Sequence, residues 1–221
     1  MIKLSDIKFH YPKSDFNLFI ESLSISKGSK VAVIGPSGSG KTTLLNLISG
    51  ILKPDAGKIQ VGSTELNQLS EREKRNFRIS DVGFVFQDFR LISYLNGKDN
   101  IHLPFKINAT IKADSETNSW IKSLVQEMGI ESKLGKYPDQ LSHGEKQRLA
   151  ICRALVARPS VVLADEPTGN LDPKNKTKIM KLLFSYVEKN DSTLVTVTHD
   201  HEMLAGFDTI IDFNDLTLQK V

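Results

Sequence analysis

Apolar residues recur at alternate positions at the front of the chain: Ile2 and Leu4, then Phe9 and Tyr11, then Phe16, Leu18 and Ile20, with Leu23 and Ile25 continuing the spacing. Period-two spacing predicts antiparallel strands with one buried face. Lys27-Gly28-Ser29-Lys30 reads as a turn, and the pattern then changes. Val31-Ala32-Val33-Ile34 is an unbroken apolar run, the mark of a strand covered on both faces of a parallel sheet. Gly35 to Gly40 breaks the run, and Thr42 to Ser49 reads as a helix. Two further buried strands are predicted at Val161–Ala164 and Thr193–Val197. Between them Asp172 is placed to cap a helix, Pro173 suits its first turn, and Ile179, Leu182, Leu183, Tyr186 and Val187 recur at helical spacing. Strand, helix and strand in this order imply a right-handed parallel crossover. The expected fold is α/β, with a mainly parallel core sheet and an N-terminal antiparallel β subdomain.

The middle of the chain has a different pattern. From about Asp88 to Arg158 it is polar-rich and helical, with one apolar stripe at Trp120, Ile121, Leu124, Val125 and Met128 and another at Leu149, Cys152, Leu155 and Val156. This stretch reads as an inserted helical subdomain, about 88–158, within a single domain spanning 1–221. Trp120 and Cys152 are most economically core residues.

Composition narrows the function mainly by exclusion. The 221 residues are 39% hydrophobic and 25% charged, enough for a packed core. The 29 basic and 26 acidic residues leave a net charge of +3, without the basic excess that marks a nucleic-acid binder. One cysteine excludes an internal disulfide and a cysteine-built zinc site. No apolar run approaches the ~20 residues of a membrane-spanning helix, and the N-terminus lacks a signal-peptide core. A cytoplasmic protein is expected, with no direct membrane insertion.

Gly35-Pro36-Ser37-Gly38-Ser39-Gly40-Lys41-Thr42 matches G-x-x-x-x-G-K-[ST]. Glycines let the backbone curl so that several N–H groups converge on an anion, and the following helix adds its positive N-terminal end. Lys41 brings a charge to the β- and γ-phosphates, and the Thr42 hydroxyl is a hard oxygen suited to Mg²⁺. The apolar strand at 161–164 ends in Asp165 and Glu166. An acid at such a strand end holds the Mg²⁺ shell in P-loop NTPases, which suits Asp165. Glu166, one residue on, can take a proton from an attacking water.

Leu141-Ser142-His143-Gly144-Glu145-Lys146-Gln147-Arg148 resembles the signature loop of ATP-binding cassette (ABC) ATPases, and other segments follow that family in order. Tyr11 resembles the aromatic that stacks on adenine, and Gln87, in Phe84-Val85-Phe86-Gln87, the Q-loop glutamine that binds Mg²⁺ or the attacking water. Gly169-Asn170-Leu171-Asp172 resembles the D-loop, and His199 the switch histidine that contacts the γ-phosphate. The resemblance implies ATP and Mg²⁺ as cofactors. Gly35 to Thr43 would bind nucleotide; Thr42, Gln87 and Asp165 would organise the metal; Glu166, His199 and Gln87 would be catalytic. It also implies a head-to-tail homodimer with ATP, in which Ser142, His143, Gly144 and Glu145 of one subunit close the site of the other.

His143 stands where the family has glycine. If that position takes a positive φ, His143 is strained, and its imidazole would also be able to reach the partner's phosphates and titrate near neutral pH; otherwise it points to solvent and changes little. Asp165 to Asp172, with Asn100-Ile101-His102-Leu103-Pro104, looks like the group serving lipoprotein release, macrolide-type efflux and cell division. That resemblance implies a separate integral membrane permease, work in export, efflux or lipoprotein release, and a location on the cytoplasmic face of the inner membrane. Phe89, Leu91 and Ile92 would line the groove for the permease's coupling helix, or else pack ordinarily within the helical insertion. The alternative is a dimerising scaffold or switch of a membrane complex, moving no substrate.

Overall fold

The computed structural model describes residues 1–108, 111–169 and 171–217; Asn170, part of the D-loop assignment, lies outside them. Two sheets carry the fold. Strands β1 (Ile2–His10), β2 (Asn17–Ile25), β4 (Ala56–Val61) and β5 (Thr64–Glu65) form an antiparallel sheet in the order β2-β1-β4-β5. Strands β3 (Lys30–Ile34), β6 (Val82–Val85), β7 (Val161–Asp165), β8 (Thr193–Val197) and β9 (Thr209–Asp212) form a five-stranded parallel sheet in the order β6-β7-β8-β3-β9. The helices are α1 (Lys41–Ile48), α2 (Glu71–Ser80), α3 (Gly97–Ile107), α4 (Ser115–Met128), α5 (His143–Leu155), α6 (Pro173–Asn190) and α7 (Phe213–Thr217).

The unbroken apolar strands are covered on both faces. In β7, Val161 and Leu163 face a core shared with the antiparallel sheet and α1, while Val162 and Ala164 face a second core built from α4, α5 and α6. Successive strand residues point to opposite faces, so a strand between two apolar layers must be apolar throughout. Asp172 caps α6 as expected, its carboxylate accepting the Asn175 amide at 3.1 Å. Trp120 and Cys152 belong to the second core.

The first two strands alternate as predicted, but not continuously. Both change phase midway, β1 at the exposed pair Ser5–Asp6 and β2 at the exposed pair Glu21–Ser22. These points lie at one level, since Ser5 pairs with Ser22 and Ile7 with Ile20. Asp6 has φ 51°, and the β1–β4 register shifts between Ser5 and Lys8. Gly57 of β4 lies against this bulge, where a Cβ would come within 2.4 Å of the Asp6 carbonyl.

Strands β4, β5, β6 and β9 and helix α2 were not among the predicted elements. β6 has four residues including Gly83, and its partner β7 is remote in sequence. Helix α2 buries only Lys74 and Phe77, too narrow a stripe to read from periodicity.

Candidate functional site

The phosphate-loop residues form the floor of an open cleft of about 620 Å³ between the sheets. Gly35, Gly38 and Gly40 have φ of 148°, 78° and 111°, so the loop depends on glycine for its curl. At Gly40 space is closed as well, because a Cβ would meet the Phe16 ring at 2.7 Å. Lys41 is 8% exposed and its ammonium lies inside the loop, donating to the carbonyls of Gly35 at 2.8 Å and Pro36 at 2.6 Å. Ser37 and Thr43 line the cleft, and the Ser39 hydroxyl is buried without a hydrogen-bond partner among the described residues. Tyr11 stands at one wall, its hydroxyl 3.1 Å from that of Thr43 and its ring against Phe9 and Phe16. Phe16 also lines the cleft, a role its place in the alternating pattern did not signal.

The opposite wall holds the acids. Asp165 ends β7, accepts a hydrogen bond from the Thr42 hydroxyl, and is pushed above the usual carboxylate range by burial. Glu166 leaves the strand with φ 46°. Consecutive residues of a straight strand would face opposite sides; the left-handed turn lets both acids line one cleft. The Glu166 carboxylate then meets the two remaining candidates. Gln87 donates from Nε2 to Glu166 Oε2 at 3.0 Å, and His199 Nδ1 lies 3.2 Å from Glu166 Oε1. Residues from three separate parts of the chain thus converge on one carboxylate beside the phosphate loop.

The sequence matches the ABC transporter family over residues 20–169. The chain belongs to that family. It is an ABC transporter ATP-binding subunit, a cassette that binds and hydrolyses ATP. The cassette is 40% identical over 182 residues to the ABC transporter ATP-binding protein YtrE of Bacillus subtilis, covering 82% of this chain and 78% of that one. It is 37% identical over 196 residues to the lipoprotein-releasing system ATP-binding protein LolD of Legionella pneumophila, covering 89% and 86%. Among solved structures, a dimeric post-hydrolysis state of the ATP-binding cassette MJ0796, bound to ADP and Pi, matches with a TM-score of 0.86 at 33% identity, covering 96% of this chain and 95% of that one.

In this cassette the signature residues stand apart from the cleft: Ser142 to Glu145 are absent from its described lining. Ser142 caps α5, and Glu145 completes a capping box by accepting the Ser142 amide at 2.8 Å. Glu145 also pairs with Lys133 at 3.0 Å, and these contacts, the Ser142 amide foremost, hold its carboxyl below the usual range. Glu145 therefore supports its own helix. The Ser-x-x-Glu spacing could have revealed this from sequence. The strain considered for His143 does not arise: it is the first residue of α5 and is not among the described residues with positive φ. Its exposed ring meets Phe89 edge-on at 5.9 Å.

A second, apolar cavity of about 350 Å³ lies beyond β6, lined by Phe84, Phe86, Ile92, Leu103, Pro104, Ile107 and neighbouring residues. Ile92, one of the three residues expected to line a coupling-helix groove, borders this cavity. Phe89 is turned against His143, and Leu91 packs on the second core.

Proposed function

We propose that this subunit hydrolyses Mg²⁺-ATP in a head-to-tail dimer and thereby drives a separate membrane permease. The convergence of Gln87 and His199 on Glu166, beside a phosphate loop, carries the reading. Glu166 acts as general base toward the attacking water, with Gln87 and His199 fixing its two oxygens. Lys41 exchanges its loop carbonyls for the phosphates, and Tyr11 offers its ring to the base. The donor set fits Mg²⁺: a hydroxyl at Thr42 and a desolvated carboxylate at Asp165 are hard oxygens with a hydrogen bond between them. Gln87 is near enough to share that role. When bound, the ion neutralises charge on the phosphates; the chain's own groups hold the water and the nucleotide.

The signature helix supplies the dimer argument. An N-terminus capped by Ser142, with Gly144 behind it, is an anion site on an outward surface, suited to the ATP of a second copy. The dimeric form of the similar MJ0796 cassette supports this arrangement. No described helix is long and apolar enough to cross a membrane. In this reading membrane attachment falls to the permease, whose coupling helix would enter the apolar cavity beside β6. Similarity to LolD, a lipoprotein-releasing system ATP-binding protein, favours the release group.

Glu166→Gln tests the reading. Turnover should fall by roughly 10²–10⁴-fold, the usual size of general-base effects, while ATP binding persists. An ATP-dependent dimer should then accumulate in size-exclusion chromatography. Near-normal phosphate release would refute the assignment of Glu166.

A further inference from the structure

The turn after Gln87 contains Phe89 and Arg90 with φ of 61° and 45°, the only adjacent non-glycine residues with positive φ among those described. Residues with a Cβ avoid this region unless their surroundings hold them there. Within the turn the Phe89 amide donates to the Phe86 carbonyl at 3.1 Å, the Arg90 amide to the Asp88 carbonyl at 2.7 Å, and Arg90 Nε to Asp88 Oδ1 at 3.2 Å. The restraint comes from Arg153, near the end of α5. Its guanidinium donates to the Phe89 carbonyl at 2.7 Å and to the Arg90 carbonyl at 2.6 Å. Burial pushes the Arg153 guanidinium down to about 10. This partly buried cation is thus directed at two backbone carbonyls of one strained turn.

The turn separates two cavities. Gln87 lines the nucleotide cleft, while Phe86 and Arg90 line the apolar one, the Arg90 guanidinium 4.6 Å over the Phe86 ring. Helix α5 bears on the turn from both ends, through His143 against Phe89 and through Arg153.

We propose that Arg153 is a positioning residue for ATP hydrolysis: by clasping the Phe89 and Arg90 carbonyls it holds the turn left-handed and keeps Gln87 against Glu166. This rests on the reading of Gln87 and Glu166 given above. Arg153 touches no nucleotide; it acts through the backbone of residues 86–90. A partner that displaced Arg90 within the apolar cavity would pull on the same clasp.

The test is steady-state phosphate release by the purified chain, with Gln87→Ala as reference. Arg153→Met keeps an apolar stem but no donors, and should lower kcat roughly ten- to a hundredfold, with KM for ATP held within about twofold. Glycine enters the left-handed region without a Cβ penalty. Adding Arg90→Gly to Arg153→Met should therefore restore part of kcat, whereas loss of mere packing would make the double variant worse. Amide exchange over residues 86–92 should quicken in Arg153→Met and slow again in the double variant. If Arg153→Met fails to fold, Arg153→Lys, which lacks the planar fork, should show a smaller defect with the same rescue. A kcat within twofold of wild type, or no rescue by Arg90→Gly, would overturn the clasp. Normal turnover by Gln87→Ala brings down the reading of the cleft and the clasp with it; a slow Gln87→Ala beside a fast Arg153→Met brings down the clasp alone.

Discussion

Lys41 has two tasks, and Lys41→Met separates them. Without nucleotide, its ammonium braces the loop through the Gly35 and Pro36 carbonyls. A hydrogen bond from a charged donor nets about 1.5–3 kcal/mol, so two at the lower end sum to ~3 kcal/mol. The loop is half open to water and the freed carbonyls rehydrate in part, leaving a loss of ~2 kcal/mol. Methionine fills most of the stem, so no large cavity adds to it. For a domain of this size that lowers Tm by roughly 4–8 °C. With ATP at about a hundred times its Kd, wild type gains ~2.7 kcal/mol, which is another ~5–11 °C. The variant should gain none. Thermal unfolding followed by circular dichroism, with and without Mg²⁺-ATP, should show a gap that widens on adding nucleotide. An unchanged nucleotide-free Tm would refute the bracing role, and an equal ATP-induced shift in both proteins would refute phosphate binding by Lys41.

Gly83→Ala should destabilise the protein by about 1–3 kcal/mol through overpacking, because a Cβ there would come within 2.5 Å of the Ala154 carbonyl and 2.8 Å of Pro159. Urea unfolding measures this, and wild-type stability would contradict the close approach of β6 to the end of α5. Glu145→Ala should cost ~1 kcal/mol by opening the capping box, and Glu145→Gln less. The Glu145 carboxyl is held below its ordinary value, so its stabilisation is present above the unfolded value near ~4.3 and is lost as pH falls through the folded one. The difference between wild type and Glu145→Ala should shrink below about pH 4; a constant gap down to pH 3 would show that the charge contributes nothing.

Much of the fold was legible because its strands differ in kind. One-sided strands alternate, as β1 and β2 do, and strands between two apolar layers are continuous, as β3, β7 and β8 are. The candidate residues were legible through chemistry at fixed spacing, and their meeting at one carboxylate is a tertiary fact that no local pattern carries. β6 escaped notice because four residues hold too few alternations to register, although Gln87 hangs from its end. The carbonyl partners of Lys41 and Arg153 were invisible for another reason: a backbone oxygen has no letter in the sequence. The left-handed turn at Phe89 and Arg90 likewise carries no glycine to announce it.

The matched breaks in β1 and β2 act as an alignment mark. Two strands of plain alternation can slide past each other by two residues and still present the same faces, so their burial pattern alone leaves several registers nearly equal. A defect in each strand, meeting at Ser5 and Ser22, removes that degeneracy, because any slide puts the defects out of step and turns an apolar residue outward. The far end of this ladder continues into Tyr11, whose hydroxyl meets Thr43. The notch at Asp6 is therefore a ruler for the nucleotide wall: it sets, from five residues away, how far along the cleft the aromatic ring stands.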